Sequence, residues 1–442
     1  MARRLLRGAR ILEGPASGFD RVGDLLIEDG KIAAIAPRIP LDDADVEVEV
    51  VDGCLVTPAF IDAHCHLREP GREDKETIAS GGAAAARGGF AAVTAMANTN
   101  PVNDNAAVTQ FILEQAAKTS PVLVLPVGAV TRGLQGAELA DFGELKEAGV
   151  VALSDDGRPI MNAALMRRAL EYAGRFALPI ITHNEDETLA AGGSMNEGAV
   201  SFALGLGGIP AAAESVQIAR DLELMRLTRG RVHAAHVSTA GSVALIRRGK
   251  EEGLAITAEV TPHHLLLTDA AVRSYDTRTK MNPPLRSEAD REAVVRGLAE
   301  GTLDIVATDH APHTAAEKEL EYDAAPSGVI GLETAFPLCY TYLVEKGLLS
   351  LQRLVAALTA GPAQVLALAD LGCLRVGGPA TLAIIRIGVQ ERITSADFAS
   401  KSRNTPFESW AVGCRIEATY RDGKEVYRHR AEGGSRSPMP YD

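Results

Sequence analysis

The sequence predicts an α/β fold: a TIM (β/α)8 barrel with a small β-sandwich domain built from both chain ends. Eight short apolar runs recur, at residues 55–63, 91–97, 122–130, 150–153, 179–182, 232–237, 255–260 and 303–307. Each is followed by an Ala/Leu/Arg/Glu-rich stretch of helical character, the alternation that parallel βα units require. The runs are continuous Val/Ile/Ala/Leu segments without strict polar alternation, as expected of barrel strands buried on both faces. Both ends of the chain differ in texture, with short strands separated by tight turns.

At the N-terminal end, Arg10-Ile11-Leu12, Asp24 to Glu28 and Lys31 to Ile35 read as strands, the last two joined by an Asp29-Gly30 turn. The short-strand pattern returns at Ala380 to Ile385 and Ile416 to Tyr420, with a turn at Arg421-Asp422-Gly423-Lys424. The expected organisation is therefore 1–57 as the first part of the β-domain, 58–369 as the barrel, 370–430 as the second part of the β-domain, and 431–442 as a flexible tail.

A chain of 442 residues suits two to three domains or one large barrel with an appendage. With 46% hydrophobic and 23% charged residues the composition is that of an ordinary globular protein, which excludes disordered and collagen-like classes. The net charge of −13 leaves no basic footprint for nucleic acid. Cys54, Cys65, Cys339, Cys373 and Cys414 are odd in number and never spaced Cys-x-x-Cys. That usage fits a reducing cytoplasm better than a disulfide framework or a thiolate site. No signal-length apolar stretch follows Arg3-Arg4, and no segment approaches the roughly eighteen uncharged residues of a membrane span. A cytoplasmic location is expected.

Barrels present their chemistry at the C-terminal ends of the strands, so the polar residues there matter most. The first run ends in Asp62-Ala63-His64-Cys65-His66. Residues two apart share a face of an extended strand, so His64 and His66 both face the mouth while Cys65 points away. Taken alone, the pair is also compatible with hydrogen-bonded core histidines. Four other runs end in Ser154-Asp155-Asp156-Gly157, His183-Asn184-Glu185-Asp186, His236-Val237-Ser238, and Thr308-Asp309-His310-Ala311-Pro312-His313.

Burying that many ionisable groups together is strongly unfavourable without a compensating cation. Imidazole plus carboxylate is the ligand set of zinc and related ions, and enough ligands are present for two ions sharing a bridge. Such a centre does hydrolysis by activating a shared water as hydroxide and polarising a carbonyl. An amide also needs a proton on its leaving nitrogen, and Asp309 is the natural shuttle, or else a plain metal ligand.

The motif His64-Cys65-His66-Leu67-Arg68-Glu69-Pro70-Gly71 resembles the dihydroorotases of the amidohydrolase superfamily. The match continues through Ala86-Arg87-Gly88-Gly89-Phe90, Ser154-Asp155-Asp156-Gly157, Thr261-Pro262-His263-His264, Lys280-Met281-Asn282-Pro283-Pro284 and Asn404-Thr405-Pro406-Phe407. The resemblance covers nearly the whole chain. It implies reversible interconversion of N-carbamoyl-L-aspartate and L-dihydroorotate, the ring-closing step of pyrimidine synthesis. It further implies two zinc ions per subunit, one held by His64, His66 and Asp309, the other by His183 and His236, with Asp156 and a hydroxide bridging them. Many superfamily members carry a modified lysine at the fourth strand end; residues 150–157 contain none, as in bacterial type I dihydroorotases and unlike most hydantoinases and allantoinases.

A substrate carboxylate calls for a fixed cation, and Arg68, two residues beyond His66, offers paired planar donors. Its alternative is a structural ion pair with Glu69 or Asp62. Asn98, Asn282 and His313 match substrate positions of the family, as do His66, Ser327 and Gly328, although Asn98 could instead cap a turn. Two departures stand out: Ala97 where relatives often have proline, and Ser327 where Bacillus-like relatives have phenylalanine. Residues 313–328 read as a mobile loop over the mouth, and His233, His263, His264 and His310 as supporting or packing residues. The resemblance also implies a homodimer, raises a complex with aspartate carbamoyltransferase, and leaves two competing readings. One is a silent scaffold for that transcarbamoylase, a type that typically lacks the metal histidines present here. The other is an amidohydrolase for a different ring, such as a hydantoin.

Overall fold

A computed structural model of the chain describes residues 3–14, 20–40 and 45–430; the tail expected at 431–442 lies outside them. The barrel strands are β1 (Phe60–Asp62), β2 (Phe90–Ala95), β3 (Leu123–Gly128), β4 (Ala152–Ser154), β5 (Ile180–Thr182), β6 (Val232–Ala234), β7 (Ile256–Val260) and β8 (Ile305–Val306). They pair in chain order, each parallel to the next. β1 and β8 meet through a parallel bridge between Cys65 and His310, where the His66 N–H donates to the His310 carbonyl at 2.9 Å. At this seam the Asp62 carboxylate accepts the Thr308 N–H at 3.0 Å and the Thr308 hydroxyl. Burial pushes the Asp62 carboxyl up to about 7, against those donors.

The barrel interior is a continuous apolar cluster. Ile61, Ala63, Ala92, Met96, Leu125, Val127, Ala152, Ile181, Ala235 and Ile305 pack together, joined by Ala363 and Val365 of the helix Ala360–Val365. Small and large side chains share this interior, as the layers of a filled barrel require. The helix Ile78–Arg87 illustrates the outer ring. Thr77 caps it by accepting from the Ser80 N–H, and Gly88-Gly89 ends it. Gly89 has φ +90°, and a Cβ there would lie 2.9 Å from the Phe60 ring. Only glycine lets the chain turn back into β2 so close to β1.

Eight strands from both ends of the chain form one hydrogen-bonded sheet outside the barrel, and Met195–Asn196 pairs with Gly208–Ile209 in a separate two-stranded sheet. Leu6, Ile11, Leu25 and Ile32 from the first end and Leu382, Ile384, Ala418 and Tyr420 from the second enclose one core. The apolar run at 55–63 is not a single strand, as the sequence suggested. Cys54–Pro58 pairs antiparallel with Leu382–Arg392 in the outer sheet. The handover is sharp: the Ala59 N–H donates to the Thr381 carbonyl at 3.2 Å, the Phe60 N–H to the Gly89 carbonyl of the barrel at 2.9 Å. Pro58, without an N–H, ends the outer strand. The alternating Val46–Val50 strand, paired with Arg3–Leu12, was missed by sequence reading.

Candidate metal centre and substrate pocket

His64 and His66 follow β1, Asp156 follows β4, His183 β5, His236 β6 and Asp309 β8, so five strand ends deliver six side chains to one point. Two groups form: His64, His66 and Asp156, and Asp156, His183 and His236. Asp156 Oδ1 lies 3.4 Å from His64 Nε2, 3.6 Å from His183 Nδ1 and 3.4 Å from His236 Nε2, while its Oδ2 lies 3.4 Å from His66 Nε2. Asp309 Oδ1 is 3.1 Å from His66 Nε2 and 3.7 Å from His64 Nε2. Two ligand atoms bound about 2.0–2.1 Å from one tetrahedral ion are about 3.3 Å apart. Most of these separations therefore match the edges of coordination polyhedra better than they match hydrogen bonds, and Asp156 belongs to both.

The outer ring nitrogens are held so that the inner ones present lone pairs. His64 Nδ1 sits 2.6 Å from Glu259, and His66 Nδ1 donates to Asn98 Oδ1 at 2.9 Å. With Nδ1 protonated, Nε2 of each ring is free to bind a cation. His64 Nε2 is buried without a hydrogen-bond partner. Such an orphan is costly in a protein interior, and a metal ion in the adjacent pocket removes the cost. The residues fit a metal on that observation.

The electrostatics make the same demand. Burial opposes charge on His64, but the Asp156 and Glu259 carboxylates outweigh it and raise its pKa well above the ordinary value. His183 is raised to about 10 against burial, by Asp156 and Glu185. Asp156 and Asp309, although buried, are held well below the usual carboxylate range by the surrounding imidazoles. The cluster needs positive charge among its carboxylates, which a divalent ion supplies. His236 and Asp309 adopt φ of 34° and 45°, a left-handed geometry that ordinary residues hold only where their surroundings enforce it.

Arg68 stands beside this cluster, also in the left-handed region at φ 64°. Its Nε donates to the Pro312 carbonyl at 3.2 Å. Neither structural ion pair considered for it forms: Glu69 accepts the Ile78 N–H at 2.8 Å, and Asp62 holds Thr308. Burial lowers the Arg68 pKa to about 10, leaving it cationic at neutral pH. Asn98 is committed to His66 through its oxygen. Asn282 Nδ2 reaches Glu185 at 3.3 Å and His183 at 3.4 Å, while its Oδ1 is buried and unpartnered.

His313 donates from Nε2 to the Ser327 carbonyl at 2.9 Å, and the Lys75 ammonium lies 3.4 Å from its Nδ1. Burial, with Arg68, Lys318 and Lys75 nearby, lowers His313 to about 3, so it is neutral. The Gly328 N–H donates to the Lys280 carbonyl at 2.9 Å. His313, Ser327 and Gly328 thus hold one another and the loop in this structure. Residues 313–328, expected as a mobile loop, are anchored. Thr314 caps the turn Ala315–Lys318 with a reciprocal bond to Glu317. The buried Lys318 ammonium donates to the carbonyls of Pro326 at 2.7 Å, Thr277 at 3.1 Å and Lys280 at 3.4 Å.

Sequence reading missed Glu259 and, although Lys75-Glu76-Thr77 is part of the family match, gave Lys75 no role. A carboxylate inside the apolar run of β7 was the available signal for Glu259, since a buried acid must have partners. His233, expected to play a supporting part, meets Glu259 Oε2 at 3.0 Å.

A closed parallel barrel with paired His/Asp pockets at its strand ends defines a metal-dependent amidohydrolase. The same fold occurs in L-hydantoinase from Arthrobacter aurescens, with a TM-score of 0.87 at 24% identity over 97% of this chain and 96% of that one. It also occurs in dihydropyrimidinase from Brevibacillus agri, with a TM-score of 0.83 at 22% identity over 96% and 95%. In sequence, the Dihydro-orotase-like family model matches residues 53–242. The chain is 51% identical to the dihydroorotase of Anaeromyxobacter dehalogenans (strain 2CP-C), over 96% of this chain and 97% of that one. It is 52% identical to that of Pelotomaculum thermopropionicum, over 96% and 99%. This chain belongs to the dihydroorotase family.

Proposed function

We propose that the protein is a zinc-dependent dihydroorotase that interconverts L-dihydroorotate and N-carbamoyl-L-aspartate. The observation that carries the choice of substrate is Arg68: a half-buried cation beside the His/Asp pockets, paired with no carboxylate among the described residues. A ring bearing a carboxylate supplies the missing anion, and a planar guanidinium binds it through two parallel bonds. A hydantoin ring lacks that group.

His64, His66 and Asp309 would hold one zinc and His183 and His236 a second, with Asp156 shared. When bound, the metal polarises the ring carbonyl and lowers the pKa of water toward 7. Asp309, ionised at neutral pH, accepts the proton of the attacking water on its carboxylate and returns it to the leaving ring nitrogen. In ring closure the same carboxylate takes the proton from the ureido nitrogen. Arg68 fixes the substrate carboxylate, which turns the ring's scissile amide toward Asp309. Asn98 and Asn282 keep the metal-side imidazoles in register and leave amide groups facing the ring. Closed over the mouth, segment 313–328 would keep bulk water from the reacting amide.

All five cysteines are free, four of them buried, which supports a reducing cytoplasmic setting. No helix of the described residues is long and apolar enough to cross a membrane. The test is ring opening of L-dihydroorotate by the purified protein, followed by ultraviolet absorbance, beside hydantoin as competitor substrate and with metal analysis of the same sample. Turnover of dihydroorotate that a chelator abolishes and zinc restores is the expected result. Turnover of hydantoin alone overturns the substrate, and absence of both metal and turnover favours a scaffold.

A further inference from the structure

Behind the first metal pocket lies a buried chain of polar groups that no step of the reaction uses. Glu259 Oε1 is 2.6 Å from His64 Nδ1 and also accepts the His236 N–H at 3.2 Å. Glu259 Oε2 is 3.0 Å from His233 Nε2, and His233 Nδ1 is 2.8 Å from the Thr257 hydroxyl. Glu259, His233 and His64 are all fully buried. His233 and Thr257 are register partners on β6 and β7, so the barrel itself aligns this chain.

We propose that Glu259, clamped by His233, is the positioning residue that sets the metal affinity of the pocket containing His64, and that this assignment rests on the metal-centre reading above. The argument follows from the bonding. A carboxylate accepting the Nδ1–H of His64 fixes the tautomer with its lone pair on Nε2, the atom that faces Asp156 and Asp309. The negative charge at the back of the ring raises the basicity of that lone pair. His233 holds the other carboxylate oxygen, so the carboxylate cannot rotate away from His64. The second pocket has a weaker stake: Glu259 touches His236 only at its backbone N–H, which leaves that ring's basicity alone.

Loss of such a partner costs about 10- to 100-fold in metal affinity. The test measures zinc binding directly, by competition with a chelating dye, so dihydroorotate turnover is not needed. In a His183→Ala background, which leaves the first pocket's ligands intact, Glu259→Gln should weaken zinc binding by about that factor. Excess zinc should refill the site. In a His66→Ala background, which leaves the second pocket, the same substitution should leave zinc affinity unchanged. Should Glu259→Gln fold poorly, His233→Gln keeps the carboxylate and should weaken the first pocket in the same direction by a smaller factor. Cobalt(II) in place of zinc provides a visible spectrum that reports coordination at the first pocket, and its intensity should fall in both variants.

An affinity in the first pocket indistinguishable from the parent's overturns the proposal. So does equal weakening of both pockets, which would mark Glu259 as a general structural support. A parent protein that binds no zinc overturns the metal-centre reading itself, a different result from either.

Discussion

Asp309→Asn separates the charge and proton capacity of this side chain from its shape. The carboxylate lies 3.1 Å from His66 Nε2 and 3.7 Å from His64 Nε2, on a residue at φ 45°. Alanine in that left-handed region would add strain of about 1–2 kcal/mol. Asparagine tolerates the same geometry as aspartate, so the backbone should stay put. What disappears is the carboxylate proposed to take the proton from water and return it to nitrogen. Positioned acid–base catalysis is worth about 10²–10⁴-fold, or about 2.7–5.4 kcal/mol of barrier at about 1.36 kcal/mol per decade. The expected result is a fall of that size in kcat in both directions, with Tm near the parent's. The assay is ultraviolet-monitored ring opening at saturating dihydroorotate, with zinc content measured on the same protein so that lost metal is not mistaken for a lost shuttle. A zinc-replete Asp309→Asn enzyme with parental kcat would refute the assignment.

Arg68→Met removes a charged hydrogen-bond partner worth about 1.5–3 kcal/mol; KM for dihydroorotate should rise about 10- to 150-fold, and an unchanged KM would remove Arg68 from the pocket. Asn404 donates to the Ala311 and Gly328 carbonyls at 3.0 and 3.1 Å and accepts the His313 N–H at 3.3 Å, pinning both feet of the loop. Asn404→Ala should lower Tm and speed hydrogen exchange across 313–328, since each buried group left unpaired costs about 1–3 kcal/mol; exchange confined elsewhere would contradict this. Burial, with Lys280 nearby, lowers Lys318 to about 7, against about 10.4 in the unfolded chain. The folded loop then binds fewer protons across that window, so its stability rises with pH from about 7 to about 10.4. Hydrogen exchange corrected for its intrinsic pH dependence should show that slope, and Lys318→Met should flatten it; equal slopes would refute the effect.

The sequence revealed the barrel because its strands carry two-sided apolar runs, and it revealed the centre because histidines and aspartates punctuate those runs at the same end. Five strand ends with compatible chemistry are hard to produce by packing alone. What escaped was set by long-range contacts. The run at 55–63 is uniformly apolar, so periodicity could not show that it serves two sheets, and only Pro58 hinted at the break. Glu259 lay in plain view in β7, yet its partner His64 is 195 residues away in the chain, and its partner His233 is recognisable only once β6 and β7 are paired. The loop at 313–328 has the small and charged residues of a mobile segment. Its anchoring depends on three backbone carbonyls around Lys318, which no residue pattern encodes.

The seam between β1 and β8 has a consequence for how the molecule assembles. Asp62 and Thr308, which lock it, are 246 residues apart in the chain, and His64, His66 and Asp309 sit immediately beyond them. During synthesis the first two histidines emerge long before their carboxylate partner exists. The ring must close before the first pocket has all its ligands, so the contact that closes the barrel, slow to form because of its long sequence separation, is also the one that creates the site. An ion that binds the closed ring and not the open chain then favours closure by mass action. Metal supply and folding yield become linked quantities, and a cell short of the metal would accumulate unclosed barrels as well as idle ones.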